Sequence, residues 1–468
     1  MALSAALAWE CRTTGSDNNG GAFNVLASGV DYSQQNSPQY ALTGVATSGA
    51  GATVLSASAA SVMVGNCGRV VSGTNFTAGT YEVVSVVVGV SITFDRSVAS
   101  GVGSAGVINI GGAVATVAAI TGRWAAQNIG WVKGGTDYTV TATTTLASGL
   151  NDIGSISPNQ LTGYTTTRGD GGQATIKTST NNLALMTVAM CNVIISNFIL
   201  DCNSTTTSTG LRITGANPER GTRIVNTTAK NFTASGFSVE AGQANGAVFF
   251  RCLATAGSSA ASGGFSYTSG VTGTFFDCLA SGNSCHGFSF GGNNGSGTFV
   301  RCVAAGNKTG GTYHGFNLDA ALGFALLLNC VAYDNSGDGI AFTGSYESAS
   351  LVNNILVSNG GYGVNFGTSQ GWQAPVFNYN AYYNNTSGAR NNLLAGANDV
   401  TLTGSPFTNG ASGDFSLNNT AGAGAACRAA GFPGVFPGGS TGYGDLGPIQ
   451  HQDSGGSASY ESVAIFGG

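Results

Sequence analysis

One phrase recurs along the second half of this chain and constrains its fold more than any other feature. It reads FFRCLATAG at 249–257, FFDCLASGN at 275–283, FVRCVAAGN at 299–307, LLNCVAYDN at 327–335 and LVNNILVSN at 351–359. Aligning the copies produces a column with intervals of 25, 26, 24, 28 and 24 residues: Thr227, Cys252, Cys278, Cys302, Cys330 and Asn354. Repeats of this length with variable insertions predict a solenoid.

Further columns follow the same spacing. Small residues stand two positions later, at Ala229, Ala254, Ala280, Ala304 and Ala332. An apolar residue preceded by glycine closes each coil, at Phe237, Phe265, Phe288, Phe316, Ile340 and Val364. Coils of about 25 residues built from short β-runs and Gly/Asn turns bury a continuous core only when they stack. The sequence therefore predicts an all-β fold, a parallel β-helix whose coils rise by about 4.8 Å.

Two columns beside the cysteines predict contacts between coils. Four asparagines stand five positions after the cysteine column, at Asn283, Asn307, Asn335 and Asn359. Stacked amides can hydrogen-bond along such a ladder. The residues before the cysteine column are Arg251, Asp277, Arg301, Asn329 and Asn353. Because neighbouring strand residues point to opposite faces, an inward cysteine predicts that these side chains point outward, with Asp277 paired to Arg251 and to Arg301.

The cysteine column itself indicates packing in the core rather than disulfide or metal-binding chemistry. Cys252, Cys278, Cys302 and Cys330, continued by Asn354, form an inward ladder of small residues. A chain of 468 residues, 42% of them hydrophobic, does not need a disulfide framework, and without a CxxC pair a zinc ribbon is unsupported. We expect reduced thiols packed as small hydrophobic groups.

Composition excludes several classes of partner. Only 8% of residues are charged and the net charge is −5, which leaves no basic face for a nucleic acid backbone. The apolar run VVSVVVGVSITF at 83–94 is too short to span a bilayer and predicts a buried strand. The start, MALSAALAWECRTTG, has no Lys or Arg before its short apolar run and makes a poor secretory signal, so we expect synthesis in a cytoplasm.

Residues 125–400 resemble the right-handed parallel β-helix proteins of the pectate-lyase-like superfold, through GWVKGGTDYTV, LTGYTTTRGDGGQATIK and the coils. Near the end, GDFSLNNTAGAGAACRAAGFPG followed by GYGDLGPIQ is similar to the segment that closes many repetitive β-helix proteins. The opening MALSAALAWECRTTGSDNNGGAFN and the later TFDRSVASGVGSAGVINIGGA look like predicted proteins of tailed bacteriophages.

Together with the absence of the 25-residue period before residue 120, these resemblances imply three segments. Residues 1–122 are expected to form a β-rich N-terminal domain or cap that could attach to a virion. Residues 123–400 are expected to form a single-stranded right-handed parallel β-helix. Residues 401–468, rich in Gly and Pro, are expected to form a C-terminal cap, since a solenoid must cover its exposed strand edges.

Enzymes of this fold act on polysaccharides through clustered carboxylates or a calcium ion with an arginine base. Polygalacturonase-like sites combine an Asp-Asp pair, Asn-Thr-Asp and His-Gly, and here only His-Gly is present, at His286 and His314. These histidines share a column with Asp338 and Tyr362. The four residues are either a surface site for sugar or metal or turn residues at an exposed corner. The second interpretation is favoured because no further carboxylates converge there.

Aromatic residues concentrate in the last coils, and they could stack on a glycan or cover the end of the core: Tyr346, Tyr362, Trp372, Tyr379, Tyr382 and Tyr383. A structural role is favoured for them. No catalytic residue, metal site or cofactor is predicted from the sequence.

The sequence and its resemblances favour a non-enzymatic structural protein of a bacteriophage virion surface, a capsid decoration or a tailspike or fibre-like adhesin, assembled in the host cytoplasm. The expected partners are other capsid or tail proteins, further copies in a homotrimer, and host surface polysaccharide. Nucleic acid and membrane insertion are not expected. A polysaccharide depolymerase of the same fold, either a lyase or a glycoside hydrolase, is the alternative, so enzymatic activity is left open.

Overall fold

The computed structural model describes residues 3–4, 6–146, 157–214, 221–240, 245–258, 261–267, 272–293, 296–321, 323–344, 348–367, 376–432 and 444–450. The chain forms two compact units. The first comprises Met1–Lys177 with Val188–Ile199, and the second comprises Thr178–Thr187 with Leu200–Gly468.

Strands dominate the described part of both units. The strands that begin before residue 197 are β1 (Leu7–Cys11), β2 (Ala22–Asn24), β3 (Tyr40–Val45), β4 (Thr53–Leu55), β5 (Cys67–Phe76), β6 (Gly79–Val87), β7 (Ser91–Phe94), β8 (Ala99–Ile110), β9 (Ile129–Lys133), β10 (Tyr138–Val140), β11 (Thr144–Leu146), β12 (Asn159–Tyr164), β13 (Ala174–Thr178), β14 (Ala184–Val188) and β15 (Val193–Ser196). Short helices occur at α1 (Val117–Thr121) and α2 (Gly424–Cys427), with 3₁₀ turns at Ser61–Met63 and Gly410–Ser412.

The later strands come in groups of three short strands per coil. They are β16 (Phe198–Asp201), β17 (Thr209–Thr214), β18 (Arg223–Val225), β19 (Thr228–Lys230), β20 (Ser235–Glu240), β21 (Asn245–Phe250), β22 (Leu253–Thr255), β23 (Gly263–Tyr267), β24 (Thr272–Phe276), β25 (Leu279–Ser281), β26 (Phe288–Asn293), β27 (Ser296–Val300), β28 (Val303–Ala305), β29 (Phe316–Ala321), β30 (Phe324–Leu328), β31 (Val331–Tyr333), β32 (Ile340–Phe342), β33 (Ser348–Val352), β34 (Ile355–Val357), β35 (Tyr362–Phe366), β36 (Val376–Asn378), β37 (Ala381–Tyr383), β38 (Gly388–Asn391), β39 (Val400–Thr401), β40 (Phe407–Asn409) and β41 (Asp414–Leu417).

The first unit combines an antiparallel sheet with parallel strands. Six strands pair in the order β3-β8-β5-β6-β7-β4, each antiparallel to its neighbours. Their shared core includes Val54, Met63, Val83 and Ile108. The N-terminal strand β1 pairs in parallel with β9, which pairs in parallel with β12. The start of the chain thus adds a strand to the parallel sheet of its unit.

The second unit is built from three walls of parallel strands. The first wall contains β18, β21, β24, β27, β30, β33 and β36. The second wall contains β19, β22, β25, β28, β31, β34, β37 and β39. The third wall contains β17, β20, β23, β26, β29, β32, β35 and β38. Because each coil contributes one strand to every wall, the predicted parallel β-helix is confirmed.

The register matches the columns of the sequence. In the second wall Leu253 lies beside Leu279, and Leu279 lies beside Val303. The apolar residues that follow glycine form one ladder in the third wall, running through Phe237, Phe265, Phe288, Phe316, Ile340 and Val364. The alignment of the repeats therefore predicted which residues become neighbours across coils.

Aromatic rings fill the core in two stacks that face each other. In one, the rings of Phe265, Phe288 and Phe316 follow at centroid distances of 4.8 and 4.9 Å. In the other, Phe275 stacks on Phe299 at 5.0 Å, and Phe288 meets Phe299 edge to face at 5.5 Å. Offset stacking and edge-to-face contacts are the arrangements that aromatic quadrupoles favour, so the rings hold adjacent coils in register.

The residue before each cysteine forms the turn between the first and second walls. Arg251, Asp277 and Arg301 have φ between 52° and 54°, in the left-handed region. We predicted that strand alternation turns these side chains outward. That reason was wrong, because the residues lie in a turn and not in a strand. The predicted pair of Asp277 and Arg301 is confirmed, with nitrogen–oxygen distances of 2.6 and 2.8 Å. Arg251 lies instead over the ring of Phe250, at 4.8 Å.

The cysteines of the column are buried, and their thiols are not in disulfides. The thiols of Cys278, Cys302 and Cys330 each donate a hydrogen bond to a backbone carbonyl of the preceding coil, at 3.4 to 3.5 Å. Cys252 donates likewise at 3.4 Å. The next rung is Asn354, whose Oδ1 accepts a hydrogen bond from the backbone amide of Cys330 at 2.9 Å. Burial raises the pKa of Cys278 and of Cys330, which keeps these two thiols protonated.

The predicted asparagine ladder is confirmed and is longer than the four residues of the alignment. Nδ2 of Asn283, Asn307, Asn335 and Asn359 each donates to Oδ1 of the next asparagine at 2.9 Å, the last to Asn385. The same four amides also donate to backbone carbonyls of the preceding coil. The ladder thus satisfies buried polar groups where each coil turns toward the third wall.

The C-terminal segment covers the outer side of the second wall. Leu402, Phe415 and Leu446 join a buried cluster with outward residues of that wall, among them Val303 and Val331. Burying apolar residues from both partners holds the segment along several coils. The capping roles of the two end segments, and the boundaries at 122/123 and 400/401, stay predictions.

Candidate functional site

The walls of the second unit differ in the side chains that point away from the core. On the first wall one outward column is apolar and half-buried, running through Phe250, Phe276, Val300, Leu328 and Val352. On the third wall the outward column is mostly small and polar, running through Ser238, Ser266, Ser289, Asn317, Ala341, Asn365 and Asn391. The third wall is therefore the best candidate for contact with a hydrophilic ligand.

A cleft of about 430 Å³ lies at the beginning of the third wall. Its lining comes from the turns that lead into β17, β20 and β23 and from the outward residues of those strands. Ten of its twelve described lining residues are serine or threonine, among them Ser204, Thr207, Thr233, Ser238, Ser262 and Ser266. Hydroxyl groups both donate and accept hydrogen bonds, so the lining can adapt to a ligand that does the same.

Glu240 is the charged residue of this lining. Its Oε2 accepts a hydrogen bond from Nε of Arg212 at 2.5 Å, and its Oε1 accepts one from Oγ of Ser238 at 2.9 Å. Arg212 and Glu240 occupy neighbouring strands, β17 and β20, and their side chains are 45% and 32% exposed. These two contacts fix the carboxylate in place beside the guanidinium.

Ser258 leaves a hydrogen-bonding group of the cleft unused. Its Oγ is buried, and among the described residues it has no hydrogen-bond partner. Buried hydroxyls in folded proteins almost always have a partner in the protein or in water. This oxygen is therefore a buried group at the lining whose hydrogen-bonding capacity is not used among the described residues.

The four residues singled out from the sequence lie on one corner of successive coils. The rings of His286 and His314 stack at 5.2 Å. Nδ1 of His286 accepts the backbone amide of His314 at 3.0 Å, and Nδ1 of His314 accepts that of Asp338 at 2.9 Å. Oδ1 of Asp338 in turn accepts the backbone amide of Tyr362 at 2.6 Å. The side chains of His286, His314 and Asp338 therefore each join their own coil to the next.

This corner is more enclosed than the sequence suggested. The side chains of His314 and Asp338 are 17% and 9% exposed, whereas an exposed corner was expected. Burial lowers the pKa of His286 to about 4, and it also lowers the pKa of His314 against the opposing effect of Asp338. Since both Nδ1 atoms accept hydrogen bonds, both rings are neutral and carry their proton on Nε2. A role of these residues in binding stays a prediction.

The described aromatic residues of the last coils make packing contacts. Tyr382 is buried with the Arg390 guanidinium 4.8 Å above its ring, and Tyr379 meets Phe432 edge to face at 5.6 Å. Tyr383 packs against the cluster beneath the C-terminal segment. Tyr346 and Trp372 lie outside the described residues.

Comparisons with known proteins identify the architecture. No family model and no curated protein matches the chain. The solved structure of pectate lyase Pel9A matches with a TM-score of 0.52 at 15% identity, over 73% of this chain and 92% of that chain. The fold is a parallel β-helix like that of pectate lyase.

Two further structures resemble this parallel β-helix less closely. ORF18 of Geobacillus virus E2 matches with a TM-score of 0.43 at 15% identity, over 58% of this chain and 52% of that one. A rhamnogalacturonan lyase matches with a TM-score of 0.44 at 14% identity, over 63% and 86%. At 15% identity, the likeness to pectate lyase Pel9A shows the fold and leaves activity to be argued from the residues.

The described residues also bear on metal binding and on helices that could cross a membrane. Within the described ranges, no three or more His, Cys, Asp or Glu side chains are placed to hold a metal ion. Within the same ranges, no helix has the length and apolar character needed to cross a membrane.

Sequence reasoning missed the hydroxyl cleft. Its residues come from NSTTTSTG at 203–210 and from TAS at 233–235, where insertions blur the repeat, and from strand positions that the columns did not include. The available signal was the local density of Ser and Thr before the third wall. In a chain so rich in these residues that density did not stand out.

Proposed function

We propose that this chain is a structural, non-enzymatic protein of a bacteriophage virion surface, displayed as a capsid decoration or as a tailspike or fibre-like adhesin. The rigid β-helix is exposed on the particle and contacts host glycans. Assembly in the host cytoplasm, attachment to other capsid or tail proteins, and association of copies into a homotrimer belong to the same proposal.

The observation that carries this proposal is the use of carboxylates in contacts between adjacent coils. Asp277 pairs with Arg301, and Asp334 with Lys308 at 2.5 Å, over sequence separations of 24 and 26 residues. Since one coil is about 25 residues long, each contact joins adjacent coils.

Three further carboxylates act in the same way. Asp201 accepts a hydrogen bond from Asn231, Asp338 from the backbone of Tyr362, and Glu240 from Arg212, over 24 to 30 residues. A hydrolase requires two carboxyl groups that face a substrate across roughly 5 to 10 Å. Here these five carboxylates hold adjacent coils together, which favours a structural role over catalysis.

A polysaccharide depolymerase on the same fold is the second candidate. One observation favours it: a fixed carboxylate, Glu240, lies beside a guanidinium at the edge of the hydroxyl-lined cleft. The purified protein would then release reducing ends or unsaturated products from a bacterial surface polysaccharide, and Glu240→Gln would abolish the release.

Immunogold electron microscopy tests the proposed location. Antibodies raised against the purified protein are applied to intact particles of the encoding phage. We expect regular labelling of the head or tail surface, and no release of sugars when the same protein is incubated with capsular polysaccharides. Unlabelled particles together with polysaccharide turnover would overturn the proposal in favour of the depolymerase.

A further inference from the structure

We infer that the hydroxyl-lined cleft at the beginning of the third wall binds a neutral oligosaccharide. The inference rests on the proposed contact with glycans, and it adds the position of the contact and the class of sugar.

The lining matches the hydrogen-bonding pattern of a sugar ring. Ser262 and Thr207 are exposed at the rim, whereas Ser238 and Ser266 are buried on the strands below. A sugar hydroxyl, like a serine hydroxyl, donates one hydrogen bond and accepts others. A lining of this kind rewards a ligand that carries several hydroxyls and penalises an apolar one, which would leave the lining groups unpaired.

The charged pair selects against acidic sugars. The carboxylate of Glu240 can accept charge-assisted hydrogen bonds from sugar hydroxyls, which are stronger than bonds between neutral groups. A uronate carboxylate would meet the like charge of Glu240, and Arg212, the nearby cation, is already bonded to Glu240. The cleft therefore favours neutral residues over uronates.

The unpartnered hydroxyl of Ser258 supplies a second, independent observation. Its Oγ is buried in the lining and lacks a partner within the described part of the chain. A ligand hydroxyl that reaches it would satisfy a group that is otherwise left unbonded, and such sites discriminate sharply for ligands with the matching group.

Glycan-array binding of the intact protein is the first test, with neutral and uronate-containing bacterial glycans on the same array. We expect binding to neutral glycans and none to polyuronates. Preferential binding to polyuronates, or no binding to any neutral glycan, would overturn the inference.

Variants then place the binding in the cleft. Ser262→Trp fills the rim from an exposed position, so it should abolish binding without loss of fold. Glu240→Gln keeps the shape of the side chain but removes its charge, so it should weaken binding about tenfold. Asp319→Asn is the matched control, because Asp319 is exposed on the third wall outside the cleft and pairs with Gly291 in the adjacent strand. It should bind as the unmodified protein does.

The outcomes separate this inference from the proposed function. Glycan binding that survives Ser262→Trp overturns the cleft as the site and leaves glycan contact standing. Surface labelling of particles by antibodies, without neutral glycan binding, overturns the inference and leaves the structural role standing. Absence of the protein from particles overturns the proposed function, whatever the cleft binds.

Discussion

Nδ2 of Asn307 donates a hydrogen bond to Oδ1 of Asn335 at 2.9 Å, and both side chains are buried. Asn307 also donates to the backbone carbonyl of Ala280 at 3.1 Å and accepts from Nδ2 of Asn283 at 2.9 Å. The side-chain amide of Asn307 thus bonds to groups on the coils before and after its own. The stability of the solenoid therefore depends on single side chains inside its ladders.

Replacing the side-chain amide of Asn307 should destabilise the fold. Asn307→Ala leaves buried partners on two coils unbonded, so the free energy of unfolding should fall by about 2 to 4 kcal/mol in denaturant titrations. Asn385→Ala is the control, since Asn385 is half-buried at the end of the ladder and should cost about 1 kcal/mol. Equal losses at the two positions would contradict a cooperative ladder.

Each phenylalanine of the stacks should contribute more to the free energy of unfolding than an asparagine of the ladder. Phe288 is fully buried between Phe265 and Phe316, so Phe288→Ala should lower the free energy of unfolding by about 3 to 5 kcal/mol. Phe324 is 41% exposed on the first wall, and Phe324→Ala should change it by less than about 1 kcal/mol. A small effect at Phe288 would mean that the stacks do not form the core.

The pair of Asp277 and Arg301 should couple measurably. A double-mutant cycle with Asp277→Asn and Arg301→Met should give about 1 kcal/mol of interaction free energy, because the carboxylate is buried and the contact is bidentate. A cycle of Asp277→Asn with Arg251→Met serves as the control and should give no coupling. Comparable coupling in both cycles would restore the continuous charge ladder that the sequence suggested.

Acid should destabilise the corner formed by His286 and His314. The folded pKa of His286, about 4, lies below the usual value near 6.5, so the unfolded chain binds more protons between these values. The stability that the neutral ring contributes is present above pH 6.5 and is lost as the pH falls towards 4. His314, whose pKa is also lowered by burial, faces the same corner and adds to the dependence.

Unfolding free energies at pH 7 and pH 4.5 check this expectation. His286→Asn keeps an acceptor for the backbone amide of His314 but cannot titrate in this range. The variant should therefore lose less stability on acidification than the unmodified protein. An unchanged pH dependence would show that His286 does not contribute.

The sequence predicted the contacts between equivalent positions of successive repeats. Columns such as Ala254 and Ala280 become neighbours because the backbone spacing of parallel strands leaves no other register for the buried apolar set. The reason given for the direction of Asp277 failed because a left-handed residue is invisible to a rule based on strand alternation. The position of the C-terminal segment on the second wall was also missed, since outward apolar residues such as Val331 show only that something covers them.

The candidate site was harder to predict than the fold. Glu240 is held by Arg212 of the neighbouring strand, Ser258 lies in a turn of variable length, and no column of the alignment contains either position. His286 and His314 stood out in the sequence because each is followed by glycine, as in polygalacturonase-like sites, yet their contacts serve the backbone. A motif-like dipeptide thus belonged to a structural ladder, while the cleft is lined by residue types that are common in this chain.

Cryo-electron microscopy of intact particles of the phage that is proposed to encode the chain can decide whether this β-helix is a surface element. We expect density for stacked parallel coils projecting from the head or tail, with the third wall and its cleft facing solvent. A particle without such density, combined with cleavage of a bacterial surface polysaccharide by the purified protein, would contradict it.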